Sequence, residues 1–357
     1  MKKTLLIITK TSGGLYLFRR ELIKKLSLDY CIYVITSDTG RLEELRNLGC
    51  EIILSPIDRR GKNVLKDLNL FLTYIQNIND LKPSLIITYT IKPNIYGGIA
   101  ARIMHIPYAA NITGLGSGFQ SSILRCLLSN MYRVALRKAK VVFCENSSIK
   151  DVLKKYKIVQ ENKVVVLQGA GVNLDYFSYH IYPTGNKCFN FLFVGRVMKE
   201  KGIDELLDAL AKLIAEGIDC KLTVVGSLSK EYLNISSLYS WIDYKGFQKD
   251  VRPFIYSADC FVLPSYHEGM ANTNLECAAS GRPIITSNIP GCKEAVVDGI
   301  TGYLCETKNV DSLYKAMKKI VNLTCEERRT MGIAGREYME SDFDKVKVIE
   351  QTISYIK

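Results

Sequence analysis

The sequence from Ala258 to Gly291 reads ADCFVLPSYHEGMANTNLECAASGRPIITSNIPG, and it contains the pattern from which the fold can be predicted. The apolar run Cys260–Leu263 is typical of a short strand buried on both faces. A glycine-containing loop then leads into a segment with helical spacing around Glu276, and a second apolar run follows at Pro283–Thr286. Strand, helix and strand in this order predict two parallel strands joined by a crossover helix.

The same alternation runs through the rest of the chain. Further strands are predicted at Lys3–Thr9, Cys31–Thr36, Glu51–Leu54, Leu85–Thr88, Tyr108–Asn111, Val141–Cys144, Lys163–Leu167, Phe189–Val194, Lys221–Val225 and Ile242–Lys245, and helices at Leu15–Leu26, Arg41–Leu48, Val64–Ile78 and Ile203–Glu216. Short apolar runs separated by helices are typical of parallel sheets covered on both faces, so we expect an α/β protein.

A polar, turn-rich segment, Tyr182-Pro183-Thr184-Gly185-Asn186, interrupts the alternation, which then restarts. We therefore expect two Rossmann-like, doubly wound domains facing a cleft, formed by residues 1–182 and 187–340. Residues 341–357 are predicted to form a C-terminal helix with Ser341-Asp342 as its cap, and the sequence does not assign its packing. Ligands of such sheets bind at the carboxyl ends of the strands, where loops lead into helix N-termini.

Composition excludes several classes of protein. The chain has 357 residues, more than one hydrophobic core usually spans, and its 47% apolar and 24% charged residues exclude disordered and collagen-like chains. The eleven cysteines are scattered singly, which favours reduced thiols and no zinc site. The first apolar run ends at Thr9-Lys10 without a cleavage site, and no later stretch is long enough to span a membrane, so we expect a soluble or peripheral protein.

The positive charge is concentrated in the first half of the chain. Residues 1–182 contain 26 Lys and Arg against 13 Asp and Glu, whereas residues 183–357 contain 22 against 23. A generally basic composition would spread over both halves, so the asymmetry indicates a polyanionic partner, either nucleic acid or anionic lipid. Aromatic residues do not interleave with the basic ones, and this argues against nucleic acid.

The loop after Leu263 has the residues of a nucleotide-binding site. Glu268 stands before Gly269, which allows close approach of a ligand to the backbone. The amides of Met270-Ala271-Asn272-Thr273 lie where a helix N-terminus would attract a diphosphate. Glu276 then falls in the first helical turns, where a carboxylate can accept hydrogen bonds from ribose hydroxyls. Two glutamates eight apart are also common on a charged helix face, which is the alternative interpretation.

These residues resemble the E-x7-E motif of retaining glycosyltransferases of family 4, which have the GT-B fold. The resemblance extends over essentially the full chain, because further family motifs occur in the same order. They are Gly13-Gly14, Gly195-Arg196 with Lys201-Gly202, Gly246-Phe247-Gln248-Lys249-Asp250-Val251, the Glu268 and Glu276 pair, and Gly299 with Gly302.

The resemblance implies a role for each of these residues. Arg196 and Lys201 would hold the nucleotide diphosphate, whose departure builds negative charge that fixed cations stabilise. Glu268 would contact the donor sugar as the catalytic residue, and Glu276 would bind the ribose. Gly269 and Met270-Ala271-Asn272-Thr273 would line the donor site, and Gly13 and Gly14 would present backbone N–H groups from the other domain. Transfer would retain the anomeric configuration.

One position departs from the family pattern. Many relatives have a His before the glycine of the mid-sheet loop in the N-terminal domain, where this chain has Thr113 before Gly114. Either Thr113 or His267, which precedes Glu268, could take its place, although a lone His beside a motif is more often a bystander.

The segment Gly114-Leu115-Gly116 and the sequence from Thr90 to Gly97 resemble members that extend polyprenyl-diphosphate-linked sugars in capsule, O-antigen or glycan assembly, including N-acetylgalactosaminyltransferases. An amphipathic helix within Ser121–Val141 could rest on anionic lipid through Arg125, Arg133 and Arg137, or could equally pack on its own sheet.

We therefore expect a cytoplasmic enzyme, peripheral on the inner face of the plasma membrane. It would move a hexose or N-acetylhexosamine from a nucleotide sugar, expected to be UDP-linked, to a polyprenyl-diphosphate-linked acceptor. We expect no cofactor and no metal, because the one Asp-x-Asp, at Asp342-Phe343-Asp344, lies close to the terminus. The alternatives are a glycosyltransferase with a soluble acceptor and an inactive nucleotide-sugar-binding module of the same fold.

Overall fold

The computed structural model describes residues 2–55, 63–185 and 188–357. Contacts within these ranges divide the chain into two compact units. Unit 1 comprises Met1–Ala170 and Val348–Lys357, and unit 2 comprises Gly171–Lys347.

Unit 1 is built on a parallel sheet with the order β3-β2-β1-β4-β5-β6-β7. Its elements are β1 (Lys3–Thr11), α1 (Ser12–Leu26), β2 (Tyr30–Ser37), α2 (Leu42–Asn47), β3 (Cys50–Leu54), α3 (Val64–Leu81), β4 (Leu85–Tyr89), α4 (Gly98–Ile103), β5 (Tyr108–Ile112), α5 (Ser122–Leu136), β6 (Val141–Cys144), α6 (Ser147–Lys155) and β7 (Val164–Val166). The central strands β4, β5 and β6 are buried along their whole length, which explains their continuous apolar runs.

Unit 2 repeats the design with the sheet order β10-β9-β8-β11-β12-β13. Its elements are β8 (Phe189–Val194), α7 (Ile203–Ala215), β9 (Cys220–Val225), α8 (Ile235–Leu238), β10 (Ile242–Tyr244), α9 (Arg252–Ser257), β11 (Cys260–Leu263), α10 (Asn272–Ala279), β12 (Ile284–Ser287), β13 (Gly302–Cys305), α11 (Val310–Asn322) and α12 (Cys325–Asp342). Strand β11 lies between β8 and β12 at the centre of the sheet, and its four residues are buried.

The boundary between the units differs from the predicted break at residues 182–186. The contacts place it between Ala170 and Gly171, because the segment after Gly171 packs on unit 2. Val172 N–H donates to Phe343 O at 2.8 Å, and the Tyr182 hydroxyl donates to Asp259 O at 3.0 Å. Residues 182–185 lie inside unit 2 without helix or strand, and residue 186 lies outside the described residues.

The C-terminal segment also differs from the expectation of one helix capped by Ser341-Asp342. Helix α12 continues to Asp342, and a separate helix, α13 (Lys345–Ile356), begins after Asp344, whose side chain accepts from Val346 N at 2.8 Å. Val348 and Ile356 are buried in the core of unit 1, so α13 returns the chain to that unit.

Helix α5 packs on the sheet of unit 1, which is one of the two alternatives that the sequence left open. Tyr132, Ala135 and Leu136 are buried against the sheet of unit 1. Ile123 is 80% exposed, Leu127 55% and Val134 48%, and their spacing places them on one face of the helix. Arg125 and Arg133 lie on another face and contact the Tyr156-Lys157 segment. Throughout the described ranges, no helix is long and apolar enough to cross a membrane.

Candidate functional site

The predicted donor site of unit 2 is formed by two loops that follow adjacent strands. The loop after β8 contains Arg196 and Lys201 and leads into α7, and the loop after β11 contains Glu268 and leads into α10. Strands β8 and β11 are paired in parallel, with Cys260 opposite Phe191, so both loops leave the same edge of the sheet. This is the edge at which ligands of such sheets bind.

Gly202 brings the two loops into direct contact. Its backbone has φ +70°, and a Cβ at this position would lie 2.1 Å from Pro264 O, at the end of β11. Only glycine fits so close an approach. The glycine predicted from the motif therefore sets how near Lys201 comes to the loop after β11.

Lys201 and Glu268 form an ion pair at the junction of these loops. Lys201 Nζ lies 2.5 Å from Glu268 Oε1, and the Ser265 hydroxyl donates to the same oxygen at 2.8 Å. The side chain of Glu268 is 13% exposed and that of Lys201 is 26% exposed. An ammonium group has three N–H donors, so this lysine can bind an anionic ligand while it remains paired with Glu268.

The loop Gly269-Met270-Ala271 is held in place by the segment that follows β12. Ala271 N–H donates to Gly291 O at 2.7 Å. Gly291 has φ +85°, and a Cβ there would lie 2.6 Å from Glu268 O. Gly291 N–H in turn donates to Glu294 Oε2 at 2.7 Å. The chain from Glu268 to Ala271 therefore has a fixed course into α10.

Helix α10 begins at Asn272, so Thr273 lies in its first turn and Glu276, which is half-buried, follows within the first two turns. Asn274 is buried and anchors the helix, donating to Thr286 Oγ1 at 3.1 Å. Asn272 Oδ1 is buried and accepts no hydrogen bond within the described residues. The helix therefore presents N-terminal amides and a polar acceptor close to Glu268 in the chain.

Arg196 directly follows Gly195 at the end of β8, and its side chain is exposed. The structure therefore brings Lys201, Glu268 and the start of α10 together in unit 2, with Arg196 on the same loop as Lys201.

The sequence interpretation missed two side chains that support this site. Ser265 was assigned no role, although its hydroxyl donates to Glu268. Tyr266 joins the two loops, because its hydroxyl donates to Glu205 Oε1 on α7 at 2.7 Å and its N–H donates to Glu200 O at 2.9 Å. Burial, and then the hydrogen bond to Glu205, raise the pKa of Tyr266 above its ordinary value. Their position between the strand and Glu268 was the available signal.

Gly13 and Gly14 lie in the first turn of α1, in unit 1. The Gly13 N–H donates to Thr39 Oγ1 at 3.0 Å, and the Ser12 hydroxyl donates to Gly40 O at 2.7 Å. The amide expected to be presented to a ligand is therefore used within unit 1 in this structure. Thr113 is half-buried and follows β5, and His267 is exposed beside Glu268.

A buried ion pair in unit 1 was also missed. Arg19 on α1 contacts Glu145, the residue after β6, with Nη2 2.7 Å from Oε1. The guanidinium carbon lies 5.4 Å from the ring centroid of Tyr89. Burial raises the pKa of Glu145, and the Arg19 charge acts in the opposite direction.

In the parts of the chain that the structure describes, no group of three or more His, Cys, Asp or Glu side chains could hold a metal ion.

Two parallel-sheet units, each with its candidate residues at the carboxyl edge, define a glycosyltransferase of the GT-B fold. Residues 5–146 match the family described as "Glycosyl transferase 4-like", and residues 188–322 match "Glycosyl transferases group 1". Together the two matches show that the chain is a glycosyltransferase, and the predictions of fold and enzyme class are confirmed.

The chain is also similar to individual transferases. The chain is 27% identical to the N,N'-diacetylbacillosaminyl-diphospho-undecaprenol alpha-1,3-N-acetylgalactosaminyltransferase of Campylobacter jejuni, covering 92% of this chain and 91% of the relative. It is 25% identical to the UDP-Gal:alpha-D-GlcNAc-diphosphoundecaprenol alpha-1,3-galactosyltransferase of Escherichia coli, covering 88% and 87%. The crystal structure of Anabaena HepE in complex with UDP and glucose has the same fold, with a TM-score of 0.81 at 18% identity over 99% of this chain and 98% of that one.

Proposed function

We propose that this protein transfers a hexose or N-acetylhexosamine from a UDP-sugar to a polyprenyl-diphosphate-linked sugar, with retention of anomeric configuration. The observation that carries the proposal is the Lys201–Glu268 pair at the junction of the two loops, beside the start of α10. The relatives named as transferases acting on diphospho-undecaprenol-linked acceptors support the acceptor class. Retention and the uracil base rest on the family resemblance.

In this mechanism the diphosphate lies against Lys201, Arg196 and the first turn of α10, including the amide of Thr273. The Asn272 N–H already donates to Met270 O at 3.0 Å. Departure of the nucleotide diphosphate concentrates negative charge on its oxygens. A cation whose position is already fixed by Glu268 and Ser265 stabilises that charge without reorganising. Because the Lys201 ammonium has three N–H donors, it binds the diphosphate while it remains paired with Glu268.

Glu268 accepts hydrogen bonds from the donor sugar hydroxyls, and Glu276 accepts from the ribose. Gly269, Met270 and Ala271 shape the wall of the site, because their course is fixed by the Gly291 segment. The mechanism uses protein cations where a metal-dependent enzyme uses a divalent ion.

The enzyme acts at the cytoplasmic face of a membrane that holds the acceptor. The exposed stripe of Ile123, Leu127 and Val134 on α5 supplies an apolar contact, and the net positive charge of the first half of the chain favours anionic lipid. A soluble-acceptor enzyme has no need of this stripe. An inactive binding module has no need of the intact Lys201–Glu268 pair.

The test is nucleotide release from a panel of UDP- and GDP-sugars, with and without a membrane extract that supplies lipid-linked acceptor, and with and without EDTA. We expect UDP release from one sugar, stimulation by the extract and no effect of EDTA. Glu276→Ala should reduce release at least tenfold, whereas Glu326→Ala, an exposed glutamate on α12, should not.

Silence across the panel, together with no UDP binding by calorimetry, would overturn the enzyme proposal in favour of the inactive module. Release that EDTA abolishes and Mn²⁺ restores would overturn the metal-independent mechanism. Equal activity on a soluble acceptor, without any stimulation by the extract, would favour the soluble-acceptor alternative.

A further inference from the structure

Unit 1 contains a cavity of about 660 Å³ that the proposed transfer reaction does not use. It is lined by residues on the connections that lead into β5, β6 and β7, so it lies at the edge of the sheet where the strands begin. The carboxyl ends of the strands, where Gly13, Gly14 and Thr113 lie, are at the other edge. The cavity is therefore separate from the part of unit 1 expected to meet the substrates.

The lining of this cavity is strongly basic. Six cationic side chains contribute to it: Arg102, Arg133, Arg137, Lys154, Lys157 and Lys163. Among the described residues that line it, Glu161 alone is acidic, and it lies 3.2 Å from Lys154 Nζ. Most of the positive charge is therefore not neutralised by the protein.

Several of these cations are held in place by backbone carbonyl groups. Arg133 donates from Nε to Lys157 O at 3.1 Å and from Nη2 to Tyr156 O at 2.9 Å. Arg102 Nη1 donates to Val134 O at 3.1 Å, and Lys163 Nζ donates to Arg137 O at 3.0 Å. A carbonyl oxygen orients a cation without cancelling its charge. The site is therefore preorganised for an anion, which lowers the entropic cost of binding.

The other lining residues are one polar residue, Gln160, and four aliphatic ones: Val134, Leu136, Ile158 and Val159. Val134 is also the last member of the exposed α5 stripe. Leu127 and Val134 lie four and eleven residues after Ile123, which places all three on the same face of the helix. The basic cavity thus adjoins the apolar surface proposed to touch the membrane. A free phosphate would need no apolar wall, whereas a phospholipid presents a phosphate joined to acyl chains.

We propose that this cavity binds the phosphate headgroup of an anionic phospholipid, with the acyl chains directed along the exposed stripe of α5. The headgroup phosphate accepts hydrogen bonds from the arginine and lysine side chains of the lining. This inference rests on the proposed membrane-linked function for its biological purpose. The binding itself does not depend on catalysis, and it is tested separately.

The sharpest variant is Arg137→Glu/Lys157→Glu. These two side chains are exposed and make no hydrogen bond or ion pair within the described residues, so their replacement leaves the carbonyl contacts of the cavity intact. The matched control is Lys24→Glu/Lys25→Glu, the same charge change on exposed residues in the last turn of α1. Both variants are compared with the wild-type full chain.

Binding is measured first to vesicles of phosphatidylcholine containing phosphatidylglycerol, and then to monomeric dihexanoyl phosphatidylglycerol, which presents no charged surface. A cation near an anionic surface contributes about fivefold to binding, so the loss of two cations should weaken vesicle binding about 30-fold, and their reversal to glutamate should weaken it further. The control should weaken it much less. Monomeric lipid should bind the wild type saturably and should not bind the cavity variant.

Equal losses in the two variants would overturn the proposal in favour of diffuse surface attraction. Inorganic phosphate binding as tightly as the monomeric lipid would overturn the lipid assignment. UDP release in detergent-free solution is followed in the same preparations and should be equal in wild type and cavity variant. Lipid binding without UDP release would reject the proposed function but not the lipid site. UDP release without lipid binding would reject the lipid site but not the proposed function.

Discussion

Each unit contains an ion pair of the same kind. A cation on its first helix (α1 in unit 1), or on the turn before it (α7 in unit 2), contacts a glutamate that follows a strand. In unit 1 it is Arg19 with Glu145, and in unit 2 it is Lys201 with Glu268. The carboxylates are equally buried, each 13% exposed, but the cations differ, because Arg19 is 8% exposed and Lys201 is 26% exposed.

The difference in the exposure of the two cations indicates that one ion pair stabilises the fold and the other binds a ligand. The Arg19 guanidinium is enclosed between Glu145 and the Tyr89 ring, so the pair fixes α1 on the sheet. Lys201 stands on a short turn at the loop junction and keeps N–H donors for a ligand. The buried pair should therefore govern stability, and the more exposed pair should govern activity.

The largest effect is expected from Arg19→Met, which leaves Glu145 buried without its partner. Breaking a buried ion pair on one side typically costs about 3–5 kcal/mol, because an uncompensated charge remains. We expect a loss of this size in the free energy of unfolding of unit 1. Thermal unfolding measures the loss, and hydrogen exchange at β1 and β6 locates it.

The matched control is Arg20→Met, because Arg20 pairs with Glu21 on the same helix at a more exposed position and should cost about 1 kcal/mol or less. The double variant Arg19→Met/Glu145→Leu removes both charges and should recover most of the loss. A double variant as unstable as the single one would show that packing, not the unpaired charge, causes the effect.

The loss in Arg19→Met should depend on pH. Burial raises the pKa of Glu145, and removal of Arg19 takes away the opposing effect, so the folded variant binds a proton more readily than the unfolded chain. The destabilisation is then complete above the raised pKa and is relieved as the pH falls toward the ordinary glutamate pKa. The gap between wild type and variant should be smaller at pH 5 than at pH 8.

The alternating pattern predicted most of the fold, because short apolar runs between helical segments, such as Val141–Cys144 and, with one asparagine, Phe189–Val194, are typical of buried strands. The strand Gly302–Cys305 was missed, because it is short and begins with glycine. The unit boundary was displaced because the hydrogen bond between Val172 and Phe343 joins residues far apart in sequence. Local composition does not record such contacts.

The sequence predicted the parts of the candidate site whose residues lie close together along the chain. Glycines 202 and 291 allow loops to approach each other, and Glu268 follows a strand that ends at the predicted edge. The pairing of Glu268 with Lys201 brings together residues 67 positions apart, so it required the structure. The Arg19–Glu145 pair spans 126 positions, and nothing near either residue indicates it.

The second effect, on activity, is expected from Lys201→Ala. Removing one fixed donor that stabilises developing negative charge typically lowers kcat by about 10²–10³-fold. The melting temperature should fall less than in Arg19→Met, because Lys201 is more exposed than Arg19 and because Ser265 still donates to Glu268 when the lysine is absent. Steady-state UDP release and thermal unfolding measured on the same sample separate the two quantities.

Lys199→Ala is the control for this variant, since Lys199 is exposed on the same short turn and should leave kcat unchanged. A Lys201→Ala enzyme with full activity but a lowered melting temperature would contradict this prediction. It would show that the Lys201–Glu268 pair stabilises unit 2, as Arg19–Glu145 stabilises unit 1.

The smallest effect is expected from Tyr266→Phe, which sharpens the comparison by loosening the Lys201–Glu268 pair without removing either charge. Tyr266 ties the Glu268 loop to α7 through Glu205, and a hydrogen bond to a charged group is worth about 1.5–3 kcal/mol. Because Tyr266 acts by positioning, only part of this should reach the reaction. We expect kcat to fall roughly threefold to tenfold, on the order of 1 kcal/mol, with little change in the KM for the donor.

Tyr232→Phe provides a matched control for this positioning role. Its hydroxyl donates to Asp204 at 2.7 Å, on the residue next to Glu205, but Tyr232 does not lie on the Glu268 loop. A general weakening of α7 would reduce kcat equally in both variants, whereas positioning of Glu268 reduces it in Tyr266→Phe alone. Glu205→Gln keeps an acceptor for the tyrosine hydroxyl and should retain more activity than Glu205→Ala. Equal loss in those two variants would mean that the carboxylate charge, not the tie between the loops, holds Lys201 and Glu268 together.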